Sequence, residues 1–342
     1  PEFIFANRII TRDARIEARM RLAEYVCQAG FDGGEEWIAA RDLLLRRPPR
    51  VKGKALIRVD EKTVDAAVRI ILGLAGGILP IQGPPGAGKT YIGARMICAL
   101  VRAGKSVGIS ANSHKVIGNL IEEVLRAADD EGLKISCIQK PDGDSKEPGA
   151  TGLVFLHDNK KLDEAIQNGA KVSGATGYYW ARQEAVESVD VLFVDEAAQM
   201  SLADVLAVSQ AANVLVLLGD PRQLEQPMQG SHPDGVDVSA FEHLLAGRST
   251  ILPEQGLFLE ETWRLHPDIC RFTSEMFYDG RMGPRPGLEH QRIKSSTALN
   301  GSGLLYVPVF HESNQSSSPE EAEAIRKMVN DLISSKSSWI DR

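Results

Sequence analysis

Residues 77–90 read GILPIQGPPGAGKT and decide the fold, because an apolar segment runs directly into a glycine-rich turn. The turn fits the pattern G-x-x-x-x-G-K-[ST], and apolar residues at helical spacing follow it. A strand, such a turn and a helix in this order bind phosphate through backbone N–H groups and the helix N-terminus. Taken without this context, the turn would be an ordinary glycine turn. The residues predicted to contact a nucleotide here are Gly83, Pro84, Pro85, Gly86, Ala87, Gly88, Lys89 and Thr90.

A second apolar segment, VLFV at 191–194, ends in two carboxylates, Asp195 and Glu196. At the carboxyl end of a strand, Asp195 can hold magnesium together with the Thr90 hydroxyl. Glu196 can orient and deprotonate the water that attacks a γ-phosphate. Without a phosphate-binding loop in the same chain, two carboxylates after a strand are more often solvent-exposed charged groups near the start of a helix. The phosphate-binding loop favours the catalytic interpretation, in which Lys89 reaches the terminal phosphates.

From Gly77 onward, short apolar runs alternate with segments of helical spacing, which is typical of βαβ units and a parallel sheet. Strands are predicted at 78–82, 107–110, 189–194 and 214–218. The segments 92–101 and 116–125 have apolar helical faces that would cover the sheet. The sequence therefore predicts an α/β fold of the P-loop NTPase type, with helices on both faces of a parallel sheet.

Three regions are expected along the chain. Residues 1–60 form a charged helical extension whose start, Pro1-Glu2-Phe3, reads as a vector remnant or an internal cut. Residues 61–250 form the first domain, with an insertion near 130–175 around the segment KPDGDSKEPGAT. Residues 251–342 begin a second domain with a helix near 263–278, a strand near 304–309 and a helix opened by Ser318-Pro319. With little sheet to cover that last helix, the second domain is expected to be truncated.

The strand predicted at 214–218 leads into GDPRQLEQP, residues 219–227. A polar amide at the end of a central strand can contact the γ-phosphate and report its presence. Alone, Gly-Asp-Pro is a plain turn.

In this order the motifs resemble those of superfamily 1 helicases. GPPGAGKT, DEAAQ, GDPRQLEQP, and ETWRLHP with FYDG are similar to motifs I to IV, over roughly residues 78–283. The branch is that of the nonsense-mediated-decay RNA helicase and the eukaryotic nuclease–helicase of Okazaki-fragment processing. Longer segments such as LPIQGPPGAGKTYIGARMI and VDVLFVDEAAQMSLADVLAVS look like the helicase half of bacterial proteins with a RecB-like nuclease domain upstream.

The resemblance implies two RecA-like domains, with ATP and Mg²⁺ in the cleft between them and single-stranded nucleic acid across their top. It makes Gln223 the γ-phosphate sensor and Arg264 an arginine that reaches the γ-phosphate from the second domain. Without the motif, an ion pair of Arg264 with Glu260 or Glu261 would be favoured. The predicted catalytic residues are thus Lys89, Glu196, Gln223 and Arg264.

Nucleic-acid contacts are implied for two loops. Ser110, Asn112, Ser113 and His114 match motif Ia, and Thr176 matches the next nucleic-acid motif. Hydroxyls, amides and N–H groups in such loops hold phosphates without reading bases, so binding independent of base sequence is expected. The alternative is that these are ordinary loop polar groups.

Two departures from the family pattern matter. Val64 stands where a glutamine that reads adenine is usual, so adenine specificity is less secure than phosphate binding. Motifs V and VI would lie beyond Arg342, so weak or absent turnover and no unwinding are expected of this chain alone.

Composition narrows the class of protein. Hydrophobic residues make up 43% and charged residues 25%, and no apolar run is long enough to cross a bilayer. The four cysteines show no metal or disulfide spacing, which favours a reducing cytoplasm. Because the net charge is −7, any nucleic acid must be bound by a local cluster of basic residues rather than by the charge of the whole chain. One such cluster is visible at residues 41–54, and it is either a solvated linker or a phosphate contact.

These observations favour an ATP-driven translocase or helicase on single-stranded DNA, with 5′ to 3′ polarity and a role in DNA repair taken from the family. A monomer is expected. An RNA helicase or ribonucleoprotein remodeller of the same architecture, and a nucleotide-binding scaffold without unwinding, stay open. A P-loop small-molecule kinase is disfavoured because it has no use for DEAAQ followed by GDPRQ.

Overall fold

The structure is a computed structural model that describes residues 14–51, 56–143, 145, 149–223 and 238–341. The helices are α1 Ala14–Ala29, α2 Ile38–Leu44, α3 Thr63–Gly73, α4 Lys89–Arg102, α5 His114–Asp130, α6 Asn159–Gln167, α7 Gly177–Trp180, α8 Leu202–Val208, α9 Ala240–Leu245, α10 Pro267–Phe277 and α11 Pro319–Ser334. The strands are β1 Gly77–Gln82, β2 Val107–Ser110, β3 Cys137–Gln139, β4 Leu153–Phe155, β5 Val172–Gly174, β6 Val191–Val194, β7 Val214–Gly219, β8 Leu257–Phe258, β9 Glu261–Thr262, β10 Gly283–Pro284, β11 Arg292–Lys294 and β12 Ser338–Ile340.

Eight strands form one parallel sheet in the order β4-β3-β5-β2-β6-β7-β1-β8. The central strands β1, β2, β6 and β7 are buried along their whole length, as expected for strands covered on both faces. The predicted α/β fold is therefore confirmed, and the four predicted strands are present with ends shifted by at most two residues.

Helices cover both faces of this sheet. On one face, helix α5 lies so close that a Cβ on Gly174 would come within 2.5 Å of Ile117. On the other face, a Cβ on Gly108 would come within 2.9 Å of the Trp180 ring. Glycine on these strands lets large side chains of the helices contact the sheet directly.

The segment predicted as an insertion near 130–175 is instead part of the sheet. It supplies β3, β4 and β5, and β5 pairs directly with β2. Each of these strands has only three residues, which is too short for an apolar alternation to be recognised from sequence. The loop between β3 and β4 carries the segment KPDGDSKEPGAT, of which residues 144 and 146–148 lie outside the described residues.

The helical extension belongs to the core of the sheet domain. Helix α2 contacts β1, and its residues Ala39, Ala40 and Leu43 are buried in the same cluster as Ile78. Helix α1 contacts α8. The predicted charged extension is thus helical, but one side of it is apolar and packed.

The basic island at residues 41–54 is engaged within the protein. Arg41 is buried and donates to the carbonyl groups of residues 31, 33 and 34. Arg50 pairs with the buried Asp42 at 2.5 Å, and Arg46 donates to the carbonyl of His243 at 2.6 Å. These contacts favour a structural role over phosphate contact; Lys52 and Lys54 lie outside the described residues.

Two compact units divide the chain: Pro1–Gly83 with Gly88–Leu259, and Pro84–Ala87 with Glu260–Arg342. In the second unit, β9 pairs with β10 and β11 pairs with β12. Helix α10 begins at Pro267 behind the cap residue His266, later than the predicted start at residue 263. Helix α11 begins at Pro319 with Ser318 as its cap, as predicted.

The strand predicted near 304–309 is wrong. These residues form no regular structure, and most of their side chains, including the 91%-exposed Tyr306, face solvent. The apolar run suggested a strand, but Pro308 removes a backbone donor and no described strand pairs with it.

Candidate nucleotide-binding site

The glycine-rich turn has the backbone of a phosphate-binding loop. Gly86 and Gly88 have φ values of 73° and 87°, a region that favours glycine. Helix α4 begins directly after Gly88, so its free N–H groups lie at the turn. Lys89 folds over Gly83: a Cβ there would lie 2.4 Å from Lys89 Cγ, and Lys89 Nζ donates to the Gly83 carbonyl at 2.9 Å.

The sheet brings the predicted motifs to one edge. β7 lies between β1 and β6, with Gln82 opposite Gly219 and Val194 opposite Leu217. Because parallel strands end at the same edge, the glycine turn after β1, residues 220–223 after β7 and Asp195 after β6 are neighbours.

Asp195 is a buried carboxylate next to this turn. Burial is the main reason that its pKa is raised to about 6, and the charge of Glu196 raises it further. The Glu196 N–H, which donates to Asp195 Oδ1 at 2.9 Å, and the charge of Lys89 act in the opposite direction. The charges of Lys89 and Asp195 are therefore close enough to interact.

Glu196 has a strained backbone. Its φ of 51° and ψ of 39° place it in the left-handed region, which costs a residue with a Cβ about 1–2 kcal/mol. It precedes the single 3₁₀ turn Ala197–Gln199. Its Oε2 atom is buried and has no hydrogen-bond partner among the described residues. Strain and an unsatisfied buried oxygen at one residue are typical of functional sites.

We expect Asp195→Asn to stabilise the protein in the absence of nucleotide and magnesium. The folded-state pKa of about 6 lies above the ordinary value of 3.8, so ionised Asp195 destabilises the fold and stability falls as the pH rises between these values. The amide keeps an oxygen to accept the Glu196 N–H. The free energy of unfolding should rise by about 1–3 kcal/mol at about pH 8 and hardly change near pH 4.

Denaturant unfolding at the two pH values measures this effect, and Asp190→Asn is the matched control. Burial opposes ionisation of Asp190, but hydrogen bonds from Ser106 and Lys105 outweigh it, so its pKa is lowered. The control should lose stability near neutral pH. An Asp195→Asn variant that also loses stability there would contradict the electrostatic account.

Gln223 follows β7 on a short turn. Its N–H donates to the Asp220 carbonyl at 3.1 Å, and the fully buried Asp220 accepts the Arg222 N–H at 3.2 Å. The rest of the motif, residues 224–227, lies outside the described residues. Gln223 is thus at the predicted sheet edge, and its role as a sensor stays a prediction.

Residues next to Arg264 contact Pro84–Ala87 of the glycine turn, which belong to the same compact unit as Arg264. Thr262 Oγ1 donates to the Pro85 carbonyl at 3.0 Å, and the N–H of Trp263 donates to the Gly86 carbonyl at 2.9 Å. A Cβ on Gly86 would lie 2.4 Å from Arg264 Cβ, so only glycine permits this contact. Arg264 is exposed and makes no ion pair within the described ranges, whereas Glu260 pairs with Arg281 at 3.1 Å. The alternative ion pair is not observed.

The chain is similar in sequence to known proteins. A family model described as "AAA domain" matches residues 65–237, more than half of the 342 residues. The chain belongs to the AAA domain family.

Relatives of this AAA domain chain include helicases. It is 25% identical over 254 residues to the Regulator of nonsense transcripts 1 homolog of Drosophila melanogaster, covering 63% of this chain and 21% of that protein. It is 26% identical over 252 residues to the DNA replication ATP-dependent helicase/nuclease dna2 of Schizosaccharomyces pombe, covering 71% and 18%. The chain thus spans about a fifth of the length of these relatives.

Among solved structures, a complex of the arterivirus nonstructural protein 10 helicase with DNA aligns at a TM-score of 0.41 and 17% identity, over 61% of this chain and 41% of that one. The family match and the relatives place the AAA domain chain in superfamily 1 of the helicases, as the motifs predicted. The finer resemblance to bacterial proteins with a RecB-like nuclease domain stays a prediction.

The predicted nucleic-acid loops of the AAA domain chain are neighbours. β2 and β5 pair, and the Ala175 N–H donates to the Ile109 carbonyl at 3.0 Å. The indole N–H of Trp180 donates to the same Ile109 carbonyl at 3.0 Å and to that of Ala175 at 2.9 Å. Trp180 therefore joins the end of β2 to the loop of Thr176, which precedes α7.

The loop residues differ in accessibility. Asn112 and Ser113 are exposed, and Ser113 accepts the Val116 N–H at 3.2 Å as the cap of α5. Ser110 is fully buried as the last residue of β2, so its side chain does not reach the surface of this loop. The predicted contact through Ser110 is therefore corrected: a residue inside the sheet lacks access to a phosphate backbone. His114 is partly buried, with Nδ1 2.9 Å from the Lys140 carbonyl.

Three residues that organise the site were not predicted from the sequence: Thr262, Trp180 and Gln199. Thr262 holds the glycine turn, and its position two residues before Arg264 was an available signal. Trp180 and Gln199 act through contacts between distant segments. Gln199 ends the DEAAQ motif, but nothing local in the sequence predicts that its carbonyl accepts a hydrogen bond from Asn112.

Three other features bear on the kind of protein. No helix in the described part of the chain is both long and apolar enough to span a membrane. The described ranges also contain no group of three His, Cys, Asp or Glu residues that could hold a metal ion. All four cysteines are unpaired thiols, three of them buried.

Proposed function

We propose that this AAA domain chain is the ATP-hydrolysing part of a translocase or helicase that acts on single-stranded DNA. The observation that carries the proposal is the carboxylate pair after β6, with an unpartnered oxygen on Glu196, near Lys89 of the glycine turn. A phosphate-binding lysine, a buried aspartate and a glutamate at one sheet edge are the groups that hydrolysis of a phosphoanhydride requires.

The residues present fit a nucleotide with magnesium. Gly86 and Gly88 allow backbone N–H groups to approach phosphates, and Lys89 supplies a positive charge to them. Thr90 and Asp195 offer the oxygen ligands that Mg²⁺ prefers. Bound magnesium would neutralise charge on the phosphates. The side chain of Val64 offers no hydrogen bond to a base, so the proposal rests on phosphate binding rather than on recognition of adenine.

Each protein group has a separate part in the proposed reaction. Glu196 accepts a proton from the attacking water, a role that suits its unpaired oxygen. Gln223 hydrogen-bonds to the γ-phosphate or the water. Arg264 places positive charge at the γ-phosphate, where negative charge develops.

Nucleic acid would bind to the loops after β2 and β5. The exposed Asn112 and Ser113 and the partly buried Thr176 offer neutral donors for phosphate oxygens, which suits binding independent of base sequence. DNA is proposed because relatives are named DNA helicases, one of them the 5′-3′ DNA helicase ZGRF1 of Mus musculus, 31% identical over 94 residues. The same name supports 5′ to 3′ polarity; a role in DNA repair, a cytoplasmic location and an upstream nuclease domain are proposed with it.

An RNA helicase of the same architecture is the second candidate, favoured by the relative named a regulator of nonsense transcripts. Only contacts to the 2′-hydroxyl group distinguish RNA from DNA at such a site. Competition between single-stranded DNA and RNA of the same base sequence separates the two candidates.

ATP hydrolysis by the chain with and without single-stranded DNA tests the proposal. The turnover expected of this chain alone is weak, and we expect that weak rate of hydrolysis to rise when DNA is added. No stimulation by DNA or RNA, with ATP binding intact, would instead favour a nucleotide-binding scaffold.

A further inference from the structure

One side chain joins the loop after β2 to the segment after β6. Asn112 is exposed, and its Nδ2 atom donates to the backbone carbonyl of Gln199 at 2.6 Å. Gln199 is the last residue of the 3₁₀ turn that follows Glu196, and its N–H donates to the Glu196 carbonyl at 2.8 Å. The amide of Asn112 is therefore one turn of chain away from the carboxylate that we propose as the base.

The ends of this turn are held by backbone contacts. Before it, the Asp195 N–H donates to the Ser110 carbonyl at 2.8 Å. After it, the Met200 carbonyl accepts the Ala240 N–H at 3.2 Å. The carbonyl of Gln199 is the point at which an exposed side chain reaches the turn.

The hydrogen bond matters because Glu196 is strained. A left-handed residue with a Cβ relaxes unless neighbouring contacts hold it, and one side-chain hydrogen bond is of comparable strength to that strain. Loss of the Asn112 bond therefore frees the turn to move and Glu196 to change its backbone angles. The carboxylate, whose Oε2 has no partner among the described residues to fix it, would move with the backbone.

The Asn112 amide also faces the surface where nucleic acid would lie. Its amide has two N–H groups and only one hydrogen bond to Gln199, which leaves a donor for a phosphate oxygen. A phosphate that accepts this donor restrains the amide, and with it the Gln199 carbonyl.

We propose that Asn112 is a positioning residue that couples nucleic-acid binding to the conformation of Glu196 through its bond to Gln199. This inference rests on the proposed function and deepens it. It assigns to one exposed side chain the transmission of nucleic-acid occupancy to the hydrolysis step.

Steady-state ATP hydrolysis by the Asn112→Ala chain, at saturating oligodeoxythymidylate and without it, tests the inference. We expect the stimulated kcat to fall about 3- to 10-fold, as for the loss of one hydrogen bond, with the KM for ATP unchanged. Asn112→Gln retains a donor amide, so its stimulated kcat should lie between those of the alanine variant and the unchanged chain. If the alanine variant does not fold, the comparison of Asn112→Gln with the unchanged chain tests the inference.

Lys115→Ala is the matched control, because Lys115 is exposed on the same helix start and has no contact with the Glu196 turn among the described residues. Its kcat should equal that of the unchanged chain. The inference would be overturned if the Asn112→Ala chain reached the same stimulated kcat as the unchanged chain and only required a higher concentration of DNA to do so.

If the unchanged chain is not stimulated by DNA or RNA, the proposed function fails, and the coupling to nucleic acid fails with it; only the positioning of Glu196 by the bond from Asn112 to Gln199 is then left to test. The basal kcat of Asn112→Ala then decides that role: a reduction at unchanged KM supports it, and an unchanged basal kcat overturns it.

Discussion

Replacing Glu196 by glutamine is expected to reduce the rate of ATP hydrolysis about 100- to 10,000-fold, because general-base catalysis contributes an acceleration of about that size. Glutamine has nearly the same shape but does not accept the proton of the attacking water. Its amide fits the same left-handed backbone, so ATP binding should persist. Single-turnover hydrolysis and equilibrium binding of ATP measure the two effects separately.

The matched control is Glu187→Gln. Glu187 also has a left-handed backbone, with a φ of 49°, but it lies before β6 and away from the glycine turn. It should hydrolyse ATP at the unchanged rate. Normal hydrolysis by the Glu196→Gln chain would remove the proposed base and, with it, the mechanism.

Arg264→Ala is expected to reduce kcat by about 1,000-fold or more, which is the contribution typical of arginine residues that stabilise phosphoryl transfer. The loss arises because its positive charge acts mainly on the transition state. Arg264→Lys should recover only part of the rate, because an ammonium group lacks the planar fork that binds two phosphate oxygens. The KM for ATP should change far less than kcat.

Arg271→Ala is the control for this variant. Arg271 is an exposed arginine on α10 whose only described ion pair is with Asp268, so its loss changes the charge of the same segment without affecting the glycine turn. We expect an unchanged rate. Equal losses in the two variants would mean that general charge, rather than the position of Arg264 beside Gly86, controls the reaction.

The central sheet and the nucleotide site were predictable for the same reason. β1, β6 and β7 are mainly apolar runs of four to six residues, and each is followed directly by a motif whose residue types are set by its chemistry. Parallel strands then bring Lys89, Asp195 and Gln223 to one edge without further information.

Features that depend on contacts between distant segments were not predictable. The three-residue strands β3, β4 and β5 are specified by their pairing with β2, and their own sequence is too short to show a period. The prediction of a strand near 304–309 was wrong for a related reason: its apolar residues suggest a strand, but they do not form one without a partner strand to pair with.

Polar side chains were the least predictable. The arginines at 41–50 suggested either a solvated linker or a phosphate contact, but the buried Asp42 and several backbone carbonyls bind them. Ser110 matched a nucleic-acid motif, but it is buried as the last residue of β2. The bond between Asn112 and Gln199 joins residues 87 positions apart, and it could be found only from the fold.

Equilibrium binding of ATP in the presence of Mg²⁺, compared between the unchanged chain and Lys89→Ala, tests most directly whether the glycine turn and the carboxylates form one nucleotide site. The account predicts that affinity falls about 10- to 100-fold in Lys89→Ala, as expected for the loss of a charged hydrogen bond to phosphate. It also predicts that removing Mg²⁺ weakens binding to the unchanged chain. Equal affinity of both chains for ATP, with or without Mg²⁺, would contradict the account.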